Sequence, residues 1–514
     1  MIVLTTLLQE STHSEVLATI GKNFTGSTYG VDSDALPADA NGAVGPDHFV
    51  EFVNGRYSVF TKKEAARVKT MTDRQFWINA GIDLSPALDI TDPRIVFDRS
   101  SGRWFAVSVD VDESSQSGNQ FLLAISTTSN PAENWNAVAF QPMPGTGNFA
   151  DFPTLGMDSS GIYLAADVFD PNDDNIGSTL VAIPKTPLLQ DPPSIAGRTS
   201  FGVLDIARGD VLQPTVSLNE NSPPELVLAV SNVGLDHLLH STLKASTIDG
   251  LTDVATLGDV NTIKVPAYRL PLSPTQPDGT HDLDAGDARF SSTIYRVDEV
   301  LYGVHSTQVS TRAAIQWFKI NATNFAVIQT GIIADNQLDL FYPSIAANSD
   351  GTVVIGCNGS SGTSFVSSYA MVGDMQNGSL VFGALQLLKA GVASYHNDDG
   401  SGSRWGDYSA TSVDPTDPNR FWTIQLYPSS DIAWSTQITE IITAPVRLTV
   451  VQSGNAITLS WPAAASDFHL QSRQNFSTGT VWEQVSQTPV SNGNQLTVTL
   501  PISGAEEYFR LAKP

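Results

Sequence analysis

The feature that most constrains this chain is an internal repeat with a period of about 60 residues. Asp92-Pro93-Arg94-Ile95-Val96-Phe97-Asp98 leads to an apolar run at 103–110, and Phe152-Pro153-Thr154-Leu155-Gly156-Met157-Asp158 leads to another at 162–167. The pair returns as Gln213-Pro214-Thr215-Val216 with 225–232, and as Tyr342-Pro343-Ser344-Ile345 with 352–358. Looser copies start at Asn41, Asp287 and Tyr408. Anchored at 42, 93, 153, 214, 288, 343 and 409, the copies follow one another at 51, 60, 61, 74, 55 and 66 residues. Each reads as a short inner strand, a tight turn, an apolar second strand and two less regular outer strands. Asp158-Ser159-Ser160-Gly161 and Asn348-Ser349-Asp350-Gly351 are typical of the turns. Four-stranded units at this period form propellers, whose radial repetition leaves only short edges. The expected fold is all-β: a seven-bladed β-propeller over 39–443, preceded by an N-terminal extension (1–38) and followed by a small β-sandwich (444–514).

Part of 14–24 is expected either to add an outer strand that closes the ring with the last blade or to pack across a face. After Ile442-Thr443-Ala444-Pro445, six short, mostly alternating runs lie between 446 and 511 and read as an immunoglobulin-like sandwich. The stretch resembles the fibronectin-type and immunoglobulin-like modules that end many secreted bacterial enzymes. That resemblance implies a spacer or surface-attachment role.

Composition narrows the partners. With 27 Lys+Arg against 53 Asp+Glu the formal charge is −26, a field that repels nucleic-acid phosphates and anionic membranes. The charged fraction of 16% is well below the usual ~25%, and Ser, Thr, Asn and Gly make up the difference, as suits short strands and polar turns. The single cysteine, Cys357, sits in an apolar run and reads as a buried thiol. Residues 1–8 are apolar but lack a basic flank, and no stretch reaches the ~18 apolar residues of a membrane span. The expectation is an extracellular or cell-surface monomer whose signal peptide is absent from this chain, with no membrane insertion and no nucleic-acid partner.

The repeat sorts polar residues onto two rims. Asp98, Asp158, Asn219, Asn348 and Asp414 fall in the turn between first and second strands and read as turn-formers. The opposite rim gathers Asn41, Asp92, Arg94, Asp151, Gln213, Asp287, Arg289, Tyr342, Arg404, Asp407 and Tyr408 from inner-strand starts. Second-strand ends add Asn54, Asp110, Asp167, Asn232, His305 and Asn358. No turn geometry requires so many ionisable groups, and sites collect where loops converge on a rigid scaffold, so this rim is the expected working face. Paired carboxylates, one protonated and one ionised, are the machinery of glycosidic hydrolysis. The candidates are Asp92, Asp151, Asp287 and Asp407, with Tyr342 or Tyr408. A polysaccharide lyase would instead take His396 or His305 with Tyr408 as base and acid. Trp405 and His396 join Arg94, Arg289, Arg404 and Tyr342 as candidate substrate contacts.

The Asp-Gly turns and the blade-start arginines Arg94, Arg289 and Arg404 resemble the sialidase-type propeller superfamily. In true sialidases three arginines clamp a substrate carboxylate, a Tyr–Glu pair supplies the nucleophile and an Asp is the acid/base. This chain departs from them in having seven units, no Ser-x-Asp-x-Gly-x-Thr-Trp box and no evident glutamate partner. With Arg404-Trp405-Gly406-Asp407-Tyr408 it looks more like a broad group of secreted bacterial propellers. Two oxygen-rich segments suggest Ca²⁺ as a cofactor. His281-Asp282-Leu283-Asp284 offers Asp282 and Asp284, and Asp170-Pro171-Asn172-Asp173 offers Asp173. The function expected is a carbohydrate-active propeller, glycosidase or lyase, acting on a polysaccharide or other glycan. The alternative is a non-catalytic glycan- or protein-binding adhesion protein.

Overall fold

The computed structural model describes residues 16–85, 88–111, 118–218, 224–231, 238–251, 254–398, 402–445, 447–466, 468–475, 481–493, 495–502 and 507–512. By internal contacts the chain divides into two compact units. One comprises Ile20–Met371 and Gly383–Ile441; the other holds the described residues of Met1–Thr19, Val372–Phe382 and Ile442–Pro514.

Among the described residues, the strands group into seven antiparallel units that make a β-propeller, and parallel pairings between inner strands (Met157 with Val216, and Thr215–Ser217 with Ile294–Arg296) join three of the units into one thirteen-stranded sheet. Blade 1 is Asn41–Val44, His48–Val53, Arg56–Thr61 and Arg67–Met71. Blades 2 to 6 open on the inner strands Asp89–Asp98, Phe149–Met157, Asp210–Ser217, Ile294–Val297 and Asp339–Ala347. Blade 7 has Ala410–Val413, Arg420–Pro428 and Trp434–Pro445, and takes Val16–Thr28 as its outer strand. The inner strands neighbour one another in chain order and the last meets the first, which closes the ring.

Of the two placements expected for 14–24, the outer strand is therefore the one found, and much of the N-terminal extension belongs to a blade. A buried carboxylate secures the seam. Glu51, in the second strand of blade 1, accepts from the Ser27 backbone N–H (2.8 Å), the Ser27 hydroxyl (2.7 Å) and the Thr436 hydroxyl (2.5 Å). Gly26 leaves it room, since a Cβ there would lie 2.3 Å from Glu51 Oε1.

Aromatic clusters fill the wedges between blades. Phe52, Tyr57, Phe76, Trp77, Trp104 and Trp135 do so between blades 1 and 2. The short helix Asp73–Asn79 brings in Phe76 and Trp77, its N-terminus capped by the Thr72 side chain. Cys357 is buried and its thiol is pushed up to about 12 by desolvation, as a structural cysteine requires.

The inner strands carry an irregularity that the sequence pattern did not reveal. Their register jumps between Thr91 and Arg94, Asp151 and Thr154, Asp210 and Gln213, and Phe341 and Ser344. The first residue inside each bulge has a left-handed backbone: Asp92 (φ 59°), Phe152 (54°), Val211 (52°) and Tyr342 (47°). Asp39, two residues ahead of the blade 1 strand, shares it (φ 49°). Non-glycine residues held there cost about 1–3 kcal/mol each and cluster where a scaffold must re-aim a side chain. Blade 5 corrects the expected alignment. Its inner strand starts at Ile294, so Asp287 and Arg289 come from the loop ahead of it.

The C-terminal part of the second unit is a two-sheet β-sandwich. Thr449–Ser453, Ala456–Pro462, Gln495–Pro501 and Val490–Asn492 form one sheet; Glu483–Gln484, His469–Arg473 and Tyr508–Ala512 form the other. Leu459, Trp461, Phe468, Leu470, Val498 and Leu500 make its core. The three-residue strand Val490–Asn492 was not among the six expected.

Candidate active site at the channel mouth

The left-handed residues and the loops beside them converge on the mouth of the channel. Its plug is Arg94. The buried guanidinium donates from Nε to the Pro153 carbonyl (3.0 Å) and from Nη1 to the Ser291 carbonyl (2.8 Å). It lies 3.3 Å from the ring centroid of Tyr408 and 4.9 Å from that of Phe152. The Tyr408 hydroxyl donates to the Pro93 carbonyl (3.1 Å), and Phe152, Val211 and Tyr408 form a small apolar cluster. One arginine from blade 2 thus ties together blade 3, the loop before blade 5 and blade 7. Further along the inner strands a narrow crevice, no larger than a water molecule, is lined by Asn41, Arg94, Ile95, Val96, Leu155, Gln213 and Thr293.

Around the plug the carboxylates fall into three groups. In the first, Asn54 bridges Asp39 and Asp92: Nδ2 donates to Asp39 Oδ2 (2.9 Å), and Oδ1 accepts the Asp92 backbone N–H (2.8 Å). The two carboxyls hydrogen-bond to each other. Burial pushes both above the usual carboxylate range, Asp39 further, because the charges of Asp407 and Asp92 add to its desolvation.

The second group surrounds Arg289, whose Nε meets Asp287 Oδ2 at 2.5 Å and whose Nη1 lies 3.9 Å from Asp167 Oδ2. Its guanidinium sits 4.6 Å from the Phe152 centroid. Burial pushes Asp151 up to about 7, reinforced by Asp92 and Asp407, and pushes Asp167 up to about 8 against the pull of Arg289. In the third group Arg404 Nη1 pairs with Asp284 Oδ2 (2.9 Å) and Nη2 with Asp407 (3.4 Å). The buried Tyr342 hydroxyl faces Asp284 and interacts with its carboxyl. Asp407 acts electrostatically on all three groups. Two long loops hold the third group, joined where Gln276 and Tyr395 exchange hydrogen bonds (2.9 and 2.7 Å) and where Asp284 N–H donates to the Ser403 carbonyl (3.0 Å).

The structure therefore brings together Asp92, Asp151, Asp287, Asp407, Arg94, Arg289, Arg404, Tyr342 and Tyr408. Several expected roles need correction. Tyr408 is buried under Arg94 with its hydroxyl committed, which removes it as a proton donor. His305 is wholly buried between Tyr268, Phe290 and Phe318, and desolvation lowers it to about 4. It is a core residue. Trp405 is also fully buried, its indole N–H donating to Asn358 Oδ1 (3.0 Å) and its ring against Tyr395 (4.8 Å), so it cannot meet a substrate. His396 pairs with Asp278 (2.6 Å) and makes no contact with the carboxylate groups.

The metal reading also changes. Asp284 is committed to Arg404, and Asp282 accepts from the Ser403 hydroxyl (3.2 Å). Asp173 is exposed in a turn organised by Asp170, which accepts from Asn172 N–H (2.8 Å). Among the described residues no three His, Cys, Asp or Glu side chains converge to hold a metal.

On the other rim the turn-formers behave as expected. Asp98, Asp158, Asn348 and Asp414 each accept backbone N–H groups within their turns; Asn219, like Asn232 of the opposite rim, lies outside the described residues. Lysines also join this rim across blades: Lys62 to Asp414 (2.7 Å) and Lys185 to Asp98 (3.0 Å).

Asp39 and Asp210 were not expected at the mouth. The signal for Asp210 was present: across the bulge it takes the place that Asp151 holds in blade 3, with Val211 standing where Phe152 does. Asp39 lies just ahead of the first recognisable copy.

No family model matches the sequence, and no curated protein does. Among solved structures, the extracellular domains 1–2 of Drosophila Semaphorin 1a align at 6% identity and a TM-score of 0.38, over 82% of this chain and 88% of that one. An exo-β-1,3-galactanase from Clostridium thermocellum aligns at 11% and 0.31, over 93% and 99%. A Trypanosoma rangeli sialidase mutant with trans-sialidase activity aligns at 8% and 0.34, over 82% and 83%. Likeness of this degree bears on no activity, and the propeller stands on its own sheet topology.

Proposed function

We propose that this chain is an extracellular carbohydrate-active propeller that hydrolyses glycosidic bonds at the channel mouth. Asp151 is the proton donor, and an ion-paired carboxylate, Asp287 or Asp407, is the base or nucleophile. The observation that carries this reading is Asp151 itself. It is only partly buried, it is raised to about 7, and it belongs to the same group as Asp287 on Arg289. Glycosidic hydrolysis needs this division of labour: one carboxyl protonated near neutral pH and a second carrying charge.

Hydrolysis is favoured over elimination because the His–Tyr pair a lyase would use is dismantled: His305 is core and Tyr408 is committed. A purely binding role would call for exposed aromatic platforms. Every described Phe, Tyr and Trp is at least partly buried. The sandwich, read as an immunoglobulin-like module, serves as spacer or attachment unit. The test is a glycan panel scored for new reducing ends, repeated with Asp151→Asn and Asp407→Asn. Turnover of at least one glycan, lost in both variants, supports the reading; binding without cleavage of any glycan refutes it.

A further inference from the structure

We propose a second, non-catalytic sugar site on the other rim of the ring: a cleft at the seam of blades 2 and 3 that takes one neutral pyranose unit of a glycan. It is independent of the chemistry at the mouth and holds whether the mouth cleaves or only binds. On this rim the second strand of blade 2 (Arg103–Val111) starts, its third (Phe121–Ser126) ends and its outer strand (Trp135–Phe140) starts. Blade 3 faces them with the short helix Lys185–Leu188, which follows its third strand Asn175–Pro184, and with the turn after it. Lys185 anchors that helix to blade 2. Its buried ammonium pairs with Asp98 Oδ2 (3.0 Å), while its N–H donates to the Ser160 carbonyl (2.8 Å). The turn is braced by the Ser194 N–H on the Pro187 carbonyl (3.0 Å). Between these walls lies a cleft of about 140 Å³. A cavity of about 150 Å³ takes benzene, so the cleft has room for one six-membered ring.

The lining names the ligand. Ile125 and Leu188 are buried and give an apolar floor; half-buried Arg103 and Asn136 and exposed Gln190 and Asp191 give polar walls. Arg103 Nη1 donates to the Ser126 carbonyl (2.9 Å), but the guanidinium pairs with no carboxylate among the described residues. Asp191 accepts from Asn136 Nδ2 (3.4 Å) and pairs with no cation among them. An arginine and an aspartate thus line one cleft without neutralising each other, whereas Lys185 closes on Asp98 beside it. A phosphate or carboxylate would suit Arg103 and meet Asp191; an ammonium would do the reverse. A hydroxyl both donates and accepts, so neighbouring hydroxyls of one sugar serve Asp191 and Arg103 together, and the Asn136 and Gln190 amides can take either role. The C–H face of the ring covers Ile125 and Leu188. Enclosure between two walls supplies the contact area for which an open surface needs an aromatic platform. A small zwitterion such as glycine would match the two charges but leave the floor and the amides without a partner.

Ligand-observed NMR with the methyl glycosides of glucose, galactose and mannose tests this, with glycine and inorganic phosphate as the rival probes. At least one glycoside is expected to bind the wild-type protein. Asp191→Ala and Arg103→Gln should each weaken that binding about tenfold, the worth of one charge-assisted hydrogen bond. Asp191 is exposed, so Asp191→Ala reads the cleft without disturbing the packing beneath it. Failure of all three glycosides to bind overturns the inference, as does tighter binding of glycine or phosphate. So does glycoside binding that Asp191→Ala leaves untouched and Asp407→Asn abolishes, which would put the sugar at the mouth. Because only binding is read, absence of glycan cleavage would count against the hydrolase reading and not against this site.

Discussion

The ring of this propeller closes on one carboxylate, and removing it has a calculable cost. Glu51→Ala deletes three charge-assisted acceptor contacts, to the Ser27 N–H, the Ser27 hydroxyl and the Thr436 hydroxyl, at a residue with no solvent exposure. Hydrogen bonds to a charged group are worth about 1.5–3 kcal/mol each, or about 5–9 kcal/mol gross for three. Recovery of the ion's desolvation penalty and water entering the vacancy return part of this, leaving a net loss of about 3–5 kcal/mol. Glu51→Gln keeps the volume but must turn an amide NH₂ toward one of the donors, for about 1–3 kcal/mol. Gly26→Ala should resemble Glu51→Ala, because its methyl would displace the carboxylate. Urea unfolding followed by tryptophan fluorescence reads the seam directly, since Trp422 and Trp434 are buried in blade 7. Midpoints should fall in the order wild type, Glu51→Gln, Glu51→Ala. A Glu51→Ala protein within about 1 kcal/mol of wild type would refute the idea that this carboxylate holds the ring closed.

Other perturbations separate structural from functional charge. Asp167 is raised to about 8 from a usual value of 3.8, so its contribution to stability is complete below pH 4 and is lost as pH rises through 8. Asp167→Asn should therefore be near neutral at pH 4 and stabilising at pH 9; equal effects at both would show that Asp167 titrates normally. Lys185→Met leaves Asp98 as an unpaired buried carboxylate and should cost about 3–5 kcal/mol at pH 7 by urea unfolding. Asp98 is depressed in the native protein, so that penalty should shrink as pH falls through its folded value. His305→Leu replaces a fully buried imidazole, packed between Tyr268, Phe290 and Phe318, by an aliphatic group. It should leave glycan turnover intact, whereas a catalytic His305 would abolish turnover.

The propeller was legible because its repeat is written in the local alternation of turns and apolar runs, which each blade must preserve to pair its strands. The rim on which the ionisable groups gather was legible for a related reason: Asp151, Arg289 and Asp407 occupy positions that no turn requires. What could not be read was depth. His305 and Trp405 lie at the same nominal positions as channel residues, yet each points into a wedge between blades, a distinction set by strand twist and bulge. The bulges themselves were hidden. Pro after Asp92, Phe152 and Tyr342 suggested a strand start, whereas each proline follows a left-handed residue within a continuous strand. Asp210 was missed through those same register shifts, and Asp39 because it lies just ahead of the first recognisable copy. Glu51 gave no signal at all, because its partners, Ser27 and Thr436, are brought to it only by ring closure.

The measurement closest to the central claim is the pH dependence of kcat/KM for a cleaved oligosaccharide between pH 5 and 9, in wild type and in Asp151→Asn. With Asp151 as the general acid, activity must fall as pH rises through about 7, where its proton is lost. Asp151→Asn should lower kcat/KM by about 10²–10⁴-fold and abolish that alkaline limb. An Asp151→Asn enzyme with wild-type rate and an unchanged alkaline limb would contradict the assignment of the channel mouth as the catalytic site.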